Sequence, residues 1–521
     1  MEPTIQSPLT PLPALQVWWQ RLPRWVLAGL AGLTPALVAM LLITTQLHAS
    51  LFDFVPNGWN DQIFYWHQIG TFKDVGFNGG YYSHQEQVPA LSFFHFHAAG
   101  PAFPLLYGLP AKLTGWGPYT GILFNMVILA VGIWIFTVVA QLDRLQIMLL
   151  GLTVAILRVV QIYLPSIMQE SAHHALGLLL AAAFYRLLTR ERQPPAFVLG
   201  LFIGLLLIGL FRFSWLVLLL PFFLLAPKRL TLWRVLAAGI AFGILTVAVL
   251  LLFQQMTPPG NNSILTRVRT VSTDPVTGLQ SLLTLALDNI SNSFVTLKDG
   301  RRLDAMAWNG LQFIGVAAVA LVGCLLRRPD VSRAGRYEMP FHLYNLLAIF
   351  GLALVFYLPS GYVRLLTPHL LLTLALLIAF RRYFLVGVFI ATTLLMTGPF
   401  LREYQEELDV NFHVNQAEWE PERIAIAQYV VYQPDAPTPW CNTVLLPLNW
   451  VDYRATLIPS GIGFTFLPVM EFKQPPQSAY LWLPDTDYQR VKDRLHVEVL
   501  FTTSIGTMYR NLDSPCPLVS Q

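Results

Sequence analysis

Runs of about 20 apolar residues recur along the first 400 positions of this 521-residue chain, and arginines punctuate the gaps between them. A helix of that length and composition crosses a bilayer. The spacing predicts about eleven spans, near 25–47, 119–141, 145–165, 171–188, 196–211, 213–226, 235–253, 305–326, 341–358, 365–380 and 383–400. Charged residues make up 12% of the chain, and mean hydropathy is +0.53. Soluble proteins carry about 25% charged residues. The deficit excludes a soluble multi-domain enzyme, a disordered scaffold and a nucleic-acid binder. The expected fold is an all-α polytopic bundle over 25–400, preceded by a cytoplasmic segment 1–24. The first run is too long for a signal-peptide core, and no small-residue cleavage site follows it.

Basic side chains set the expected orientation. Arg144; Arg186, Arg190 and Arg192; Lys228, Arg229 and Arg234; Arg327, Arg328, Arg333 and Arg336; and Arg381 and Arg382 fall on loops of one parity. With the N-terminus in the cytoplasm, all five loops lie inside. An odd number of spans then puts 401–521 outside, together with the long loops 48–118 and 254–304. Charge divides the same way. Residues 1–400 carry 25 basic and 14 acidic side chains, 25 − 14 = +11, whereas 401–521 carry 8 and 15, 8 − 15 = −7.

The tail is expected to be a small α/β domain, with strands at Thr443–Leu448, Tyr480–Leu483 and Val497–Thr502 and a polar helix at Tyr488–Leu495. Cys441 and Cys516 bracket it. They either pair in an oxidising compartment or are two unrelated buried thiols. Cys324, inside an apolar run, is expected to be an inert packing residue.

The ionisable residues that lie next to spans are few. Asp61 follows the first span, in Asn60-Asp61-Gln62-Ile63-Phe64-Tyr65-Trp66-His67. An aspartate beside an apolar surface suits a general base, and equally caps the helix that follows. Glu170 sits in the short loop before the fourth run, in Gln169-Glu170-Ser171-Ala172-His173-His174. A carboxylate at that depth needs a partner or a use. Adjacent histidines on a helix point about 100° apart, which makes His173 and His174 poor joint metal ligands, and no metal site is assigned. Arg158, Arg212 and Arg364 all fall near the expected exterior end. They are either snorkelling side chains or a phosphate clamp, for which the planar guanidinium fork is well suited. An enzyme acting on a lipid phosphate needs such a set: a carboxylate for the acceptor proton and arginines for the leaving group.

The order of these features resembles the GT-C glycosyltransferases, the polytopic enzymes that use polyprenyl-phosphate-linked sugars, such as protein mannosyltransferases and aminoarabinose transferases. The resemblance covers about residues 20–400. It rests on the first-loop aspartate, the Pro-containing stretch Phe96–Gly108 that closes that loop, the acid before the fourth run, and Arg364-Leu365-Leu366-Thr367-Pro368. It implies an inverting transferase with Asp61 and Glu170 as catalytic residues. Arg364, Arg212, Arg158, His173 and Tyr65 are the substrate-binding candidates, Arg158 by position alone. Where the family has a tyrosine after the aspartate, this chain has Phe64-Tyr65-Trp66. The implied partners are a polyprenyl-phosphate-linked sugar, membrane lipid, and a glycan, lipid or protein acceptor. No cofactor signature is present, and the two acids leave room for a shared divalent cation. The expected location is a bacterial inner membrane. A lipid-linked saccharide ligase or polymerase and a transporter or flippase are the rival readings. The flippase reading expects mid-membrane charges and two related halves, neither of which the sequence shows.

Overall fold

The computed structural model describes residues 22–78, 100–227, 231–255, 270–271, 273–298, 305–326, 332–356, 362–414, 416–447, 450, 452–467 and 475–516. The expected stretch Phe96–Ala99 and the basic residues Lys228, Arg229, Arg327 and Arg328 lie outside them.

Helices dominate. In chain order they are α1 (Arg24–Gln46), α2 (Asn60–Val75), α3 (Ala102–Thr114), α4 (Thr120–Ala140), α5 (Arg144–Ile156), α6 (Arg158–Tyr163), α7 (Glu170–Thr189), α8 (Pro195–Phe211), α9 (Leu219–Leu225), α10 (Leu232–Gln255), α11 (Pro275–Lys298), α12 (Ala305–Leu325), α13 (Arg333–Phe356), α14 (Tyr362–Ala379), α15 (Tyr383–Leu395), α16 (Thr397–Phe412) and α17 (Gln416–Tyr429). Among the described residues, α1, α4 and α10 are each long and apolar enough to cross a membrane, and the bent pair α15–α16 adds a fourth if taken as one span. The chain is an integral membrane protein. The expected count of about eleven is not reached by helix length, because several runs are broken. The run 145–165 parts at Leu157, whose extended backbone separates α5 from α6. The run 383–400 bends by 63° between α15 and α16. α16 then carries the chain through the boundary expected at 401.

Small residues let the central helices approach closely, as helix packing in lipid requires. A Cβ on Gly177 of α7 would sit 2.6 Å from the Pro368 carbonyl oxygen of α14. One on Gly132 of α4 would lie 3.2 Å from the Ala175 carbonyl oxygen of α7. α7 is thereby held between α4 and α14. The basic loops converge at one end of the bundle. Arg333 donates through Nε to the Leu187 carbonyl at 2.9 Å, Arg381 faces Asp143 at 3.3 Å, and Arg382 meets Glu338.

The tail forms a five-stranded sheet in the order β2-β1-β3-β5-β4, with β1 Thr443–Pro447, β2 Gly463–Leu467, β3 Tyr480–Leu483, β4 Val497–Thr502 and β5 Thr507–Asn511. β1 runs parallel to β2 and β3; β5 is antiparallel to β3 and β4. A short helix, α18 (Asp485–Val491), precedes β4. The sequence reading finds three of the strands. β2 and β5 lack a continuous apolar run: Thr465 interrupts the one, and Arg510 and Asn511 end the other. Cys441 and Cys516 pair, 5.3 Å apart at Cα and 75 positions apart in the chain. Closing a loop of that size contributes on the order of 2–4 kcal/mol, chiefly by restricting the unfolded chain.

Candidate functional site

α2 carries Asp61 and lies between the bundle and the tail. Gln62, one residue on, ties three segments together. Its amide donates to the Asn57 carbonyl at 2.7 Å and to Asn411 Oδ1 at 2.5 Å, and its oxygen accepts the Ile167 N–H at 3.0 Å. On the tail side, His67 Nε2 meets the Ile462 carbonyl at 2.6 Å, and Thr71 Oγ1 accepts the Gly461 N–H at 3.1 Å. The Phe64 ring packs on Phe464 and Phe466. Burial pushes the His67 imidazole down to about 4, against the pull of its carbonyl partner. It is therefore a neutral donor to Ile462.

Asp61 is in the first turn of α2 but does not cap it. The N-cap is Trp59, with no side-chain cap bond. Asp61 Oδ2 instead lies 3.6 Å from Arg364 Nη1. The same guanidinium, through Nε, lies 3.9 Å from Glu170 Oε1. Glu170 Oε1 also accepts from Arg212 Nη2 at 2.9 Å. Four residues from four distant parts of the chain thus meet at one end of the bundle.

Exposure divides them. The side chains of Asp61 and Arg364 are 35% and 34% exposed, whereas Glu170 is 2% and Arg212 11%. Glu170 and Arg212 form a buried, hydrogen-bonded pair. Asp61 and Arg364 are part-exposed beside that pair. Contacts of 3.6 and 3.9 Å gain Coulomb energy but are too long for hydrogen bonds. Arg364 therefore keeps its strongest donors for something else. Pro368 accentuates this position: it has no N–H to give the Arg364 carbonyl four residues earlier.

Tyr65, one turn beyond Asp61, is buried, with its ring 5.1 Å from Phe103. Burial, then the charges of Asp61 and Glu170, hold its hydroxyl well above the usual phenol range, with Arg364 and Arg212 opposing. It stays protonated. Glu170 opens α7 and is aimed by the turn before it. Asn125 of α4 donates to the Leu164 and Ser166 carbonyls at 3.1 and 2.6 Å, and Ser171 Oγ donates back to the Tyr163 carbonyl at 2.9 Å.

His173 accepts the Trp215 indole N–H at Nδ1, 3.1 Å away, and its ring lies 4.3 Å from Phe211. An indole only donates, so neutral His173 carries its proton on Nε2. Trp215 stacks on His369 at 4.3 Å. His173 therefore packs beneath the Arg212 segment. His174 is buried without a hydrogen-bond partner for either ring nitrogen. Arg158 does not join the four. It is buried, donates to the Thr393 carbonyl at the end of α15, and lies 5.8 Å from the Phe400 ring centroid of α16. It serves the α15–α16 bend, where a helix end leaves carbonyls to satisfy. Among the described residues no group of three or more His, Cys, Asp or Glu is arranged for a metal. The Arg364 guanidinium stands where a cation shared by Asp61 and Glu170 would sit, so these residues do not fit one.

The chain is similar to two solved structures. One is ArnT from Cupriavidus metallidurans bound to undecaprenyl phosphate, 12% identical, with 94% of this chain and 98% of that one covered at a TM-score of 0.40. The other is the same protein in the apo state, 12% identical, 96% and 98% covered, at 0.39. No family model and no curated protein matches the chain. At this distance no residue takes its role from the likeness.

Several residues around the site escape the sequence reading. Tyr163 packs against Trp59, ring centroids 5.6 Å apart, and Trp59 Nε1 donates to Glu407 at 2.9 Å. Asn345 and His369 brace one another at 2.8 Å below Trp215. The apolar helical pattern around Asn345 and His369 offered no signal for a buried polar pair. The hydrophobic neighbourhood of Trp59 was legible, but its partner 348 positions away was not.

Proposed function

We propose that the chain is an inverting glycosyltransferase, moving a sugar from a polyprenyl-phosphate donor to an acceptor hydroxyl at the exterior face of the membrane. One observation carries this reading: a part-exposed Arg364 between Asp61 and Glu170, at 3.6 and 3.9 Å, bonded to neither. Asp61 takes the proton of the acceptor hydroxyl as its oxygen attacks the anomeric carbon. The carbon–oxygen bond to the phosphate breaks, and its electron pair leaves with the phosphate oxygen. Arg364 turns its donors to that oxygen as charge grows. Glu170 serves as a positioning carboxylate that holds Arg212 beside Arg364, so the phosphate meets two guanidiniums. Tyr65 and His173 complete the wall. A single displacement needs no covalent sugar–enzyme intermediate. The acceptor is a glycan, lipid or protein hydroxyl.

The shorter and broken helices complete about eleven spans in this reading. The N-terminus lies in the cytoplasm of a bacterial inner membrane, and the tail lies outside, where the Cys441–Cys516 disulfide persists. The test is a purified-protein assay. A panel of polyprenyl-phosphate-linked sugars is offered with candidate acceptors, and free polyprenyl phosphate and the product's anomeric configuration are followed. The expected result is turnover with inversion. Retention of configuration, or full turnover in Asp61→Asn, would refute the proposal.

A further inference from the structure

At the end of the bundle opposite Asp61, where α4 and α7 finish, the structure has a half-open cavity of about 420 Å³. Its polar lining comes from Gln141, Tyr185, Arg186, Thr189 and Arg190. Gln141 creates the space. It adopts a left-handed backbone, φ 52°, closes α4 by donating to the Thr137 and Val138 carbonyls, and turns the chain away from α7. Arg186 is already fixed there. Its Nε donates to Gln193 Oε1 at 3.2 Å, and its guanidinium lies 4.5 Å from the Phe197 ring centroid. Among the described residues neither Arg186 nor Arg190 forms an ion pair. Glu191, the next residue in the chain, is exposed, and no acidic side chain lines the cavity among the described residues.

The outer side of α4 leads to this cavity. Val127, Val131, Trp134 and Val138 recur at helical spacing along one face and are all exposed. In a membrane such a face meets lipid tails. Two uncompensated arginines at the foot of a lipid-facing stripe match an anionic lipid: phosphate in the basic pocket, chain along the helix. We propose that this cavity seats the phosphate-bearing headgroup of an anionic phospholipid. The site is separate from the sugar-transfer centre and stands whether or not that reading holds.

The test uses the full chain in detergent. Phosphatidylglycerol, phosphatidylcholine or inorganic phosphate is added, and thermal unfolding and native mass spectrometry report binding. Phosphatidylglycerol is expected to stay bound and to raise the melting temperature more than the other two, as a ligand that binds only the folded state does. Arg190→Gln changes an exposed side chain and leaves the residue's backbone bonds to Arg186 and Gln193 in place, and should weaken that binding about fivefold; Arg186→Gln with Arg190→Gln should weaken it about twenty-fold. If the double variant folds poorly, Arg190→Gln alone decides. Equal binding of phosphatidylglycerol and phosphatidylcholine, equal binding by wild type and Arg190→Gln, or an equal effect of inorganic phosphate would overturn the proposal.

Discussion

Two buried glutamates sit at opposite ends of this bundle, and their surroundings differ in kind. Glu338 is closed off by Arg382, whose Nε and Nη2 reach its two oxygens at 2.9 and 2.6 Å. Glu170 has one oxygen on Arg212 at 2.9 Å, while its other oxygen is buried with no hydrogen bond. Arg212 also has a buried Nη1 without a partner, and Arg364 stands at 3.9 Å. The two ends are separated by α14, which begins beside Arg364 and finishes just before Arg381; its 18 residues span about 27 Å. A two-point guanidinium–carboxylate fork is complete as it stands and holds loops together. An incomplete set, with a buried acceptor and a buried donor left over beside the part-exposed Arg364, suits a ligand that completes it. Leaving such groups unmet costs about 1–3 kcal/mol each, which stability alone does not explain.

The contrast can be broken by substitution. Asp61→Asn should lower sugar transfer by roughly 10²- to 10⁴-fold, the usual worth of a general base, with the melting temperature unchanged. Glu338→Gln should do the reverse. It leaves Arg382, which is 45% exposed and stays hydrated, without its fork, and should cost about 1–3 kcal/mol of stability in denaturant unfolding, with turnover per folded molecule retained. Arg364→Lys keeps the charge but loses the planar fork, and should raise KM for the lipid donor about 10- to 100-fold. A normal KM in that variant would move the phosphate elsewhere.

A smaller effect sharpens the role of the tail. The folded-state pKa of His67 is depressed to about 4 by burial, below the unfolded value near 6.5. The unfolded chain therefore binds the extra proton first as pH falls. The stabilisation is fully present above about 6.5 and is lost between there and about 4, at most about 3 kcal/mol. Hydrogen exchange in β2, which begins just after Ile462, should quicken over that window, and His67→Gln should flatten the dependence. An unchanged profile would remove His67 from the contact between α2 and the tail.

Much of the site was legible because intramembrane charge is costly and therefore rare. Asp61, Glu170, Arg212 and Arg364 stood out against apolar runs, and the structure brings those four together. Arg158 stood out for the same reason and goes elsewhere. Sequence reveals that a charge needs a partner, but not that the partner is the Thr393 carbonyl at a 63° bend between two helices. The break at Leu157 was hidden too, since no proline or glycine marks it. The clamp on α2 was the least legible part. His67 and Ile462 are 395 positions apart, and Gln62 and Asn411 are 349 apart. Nothing local in either segment records such a contact. In the tail, the strands with continuous apolar runs were found, and β2 and β5 were not, for lack of one.

The most direct test of the account is the binding of a free polyprenyl phosphate, the leaving group of the proposed reaction, to Arg364→Gln and Arg382→Gln side by side, by native mass spectrometry. The account predicts at least a tenfold loss of binding in Arg364→Gln and wild-type binding in Arg382→Gln. Equal affinity in the two variants would contradict it.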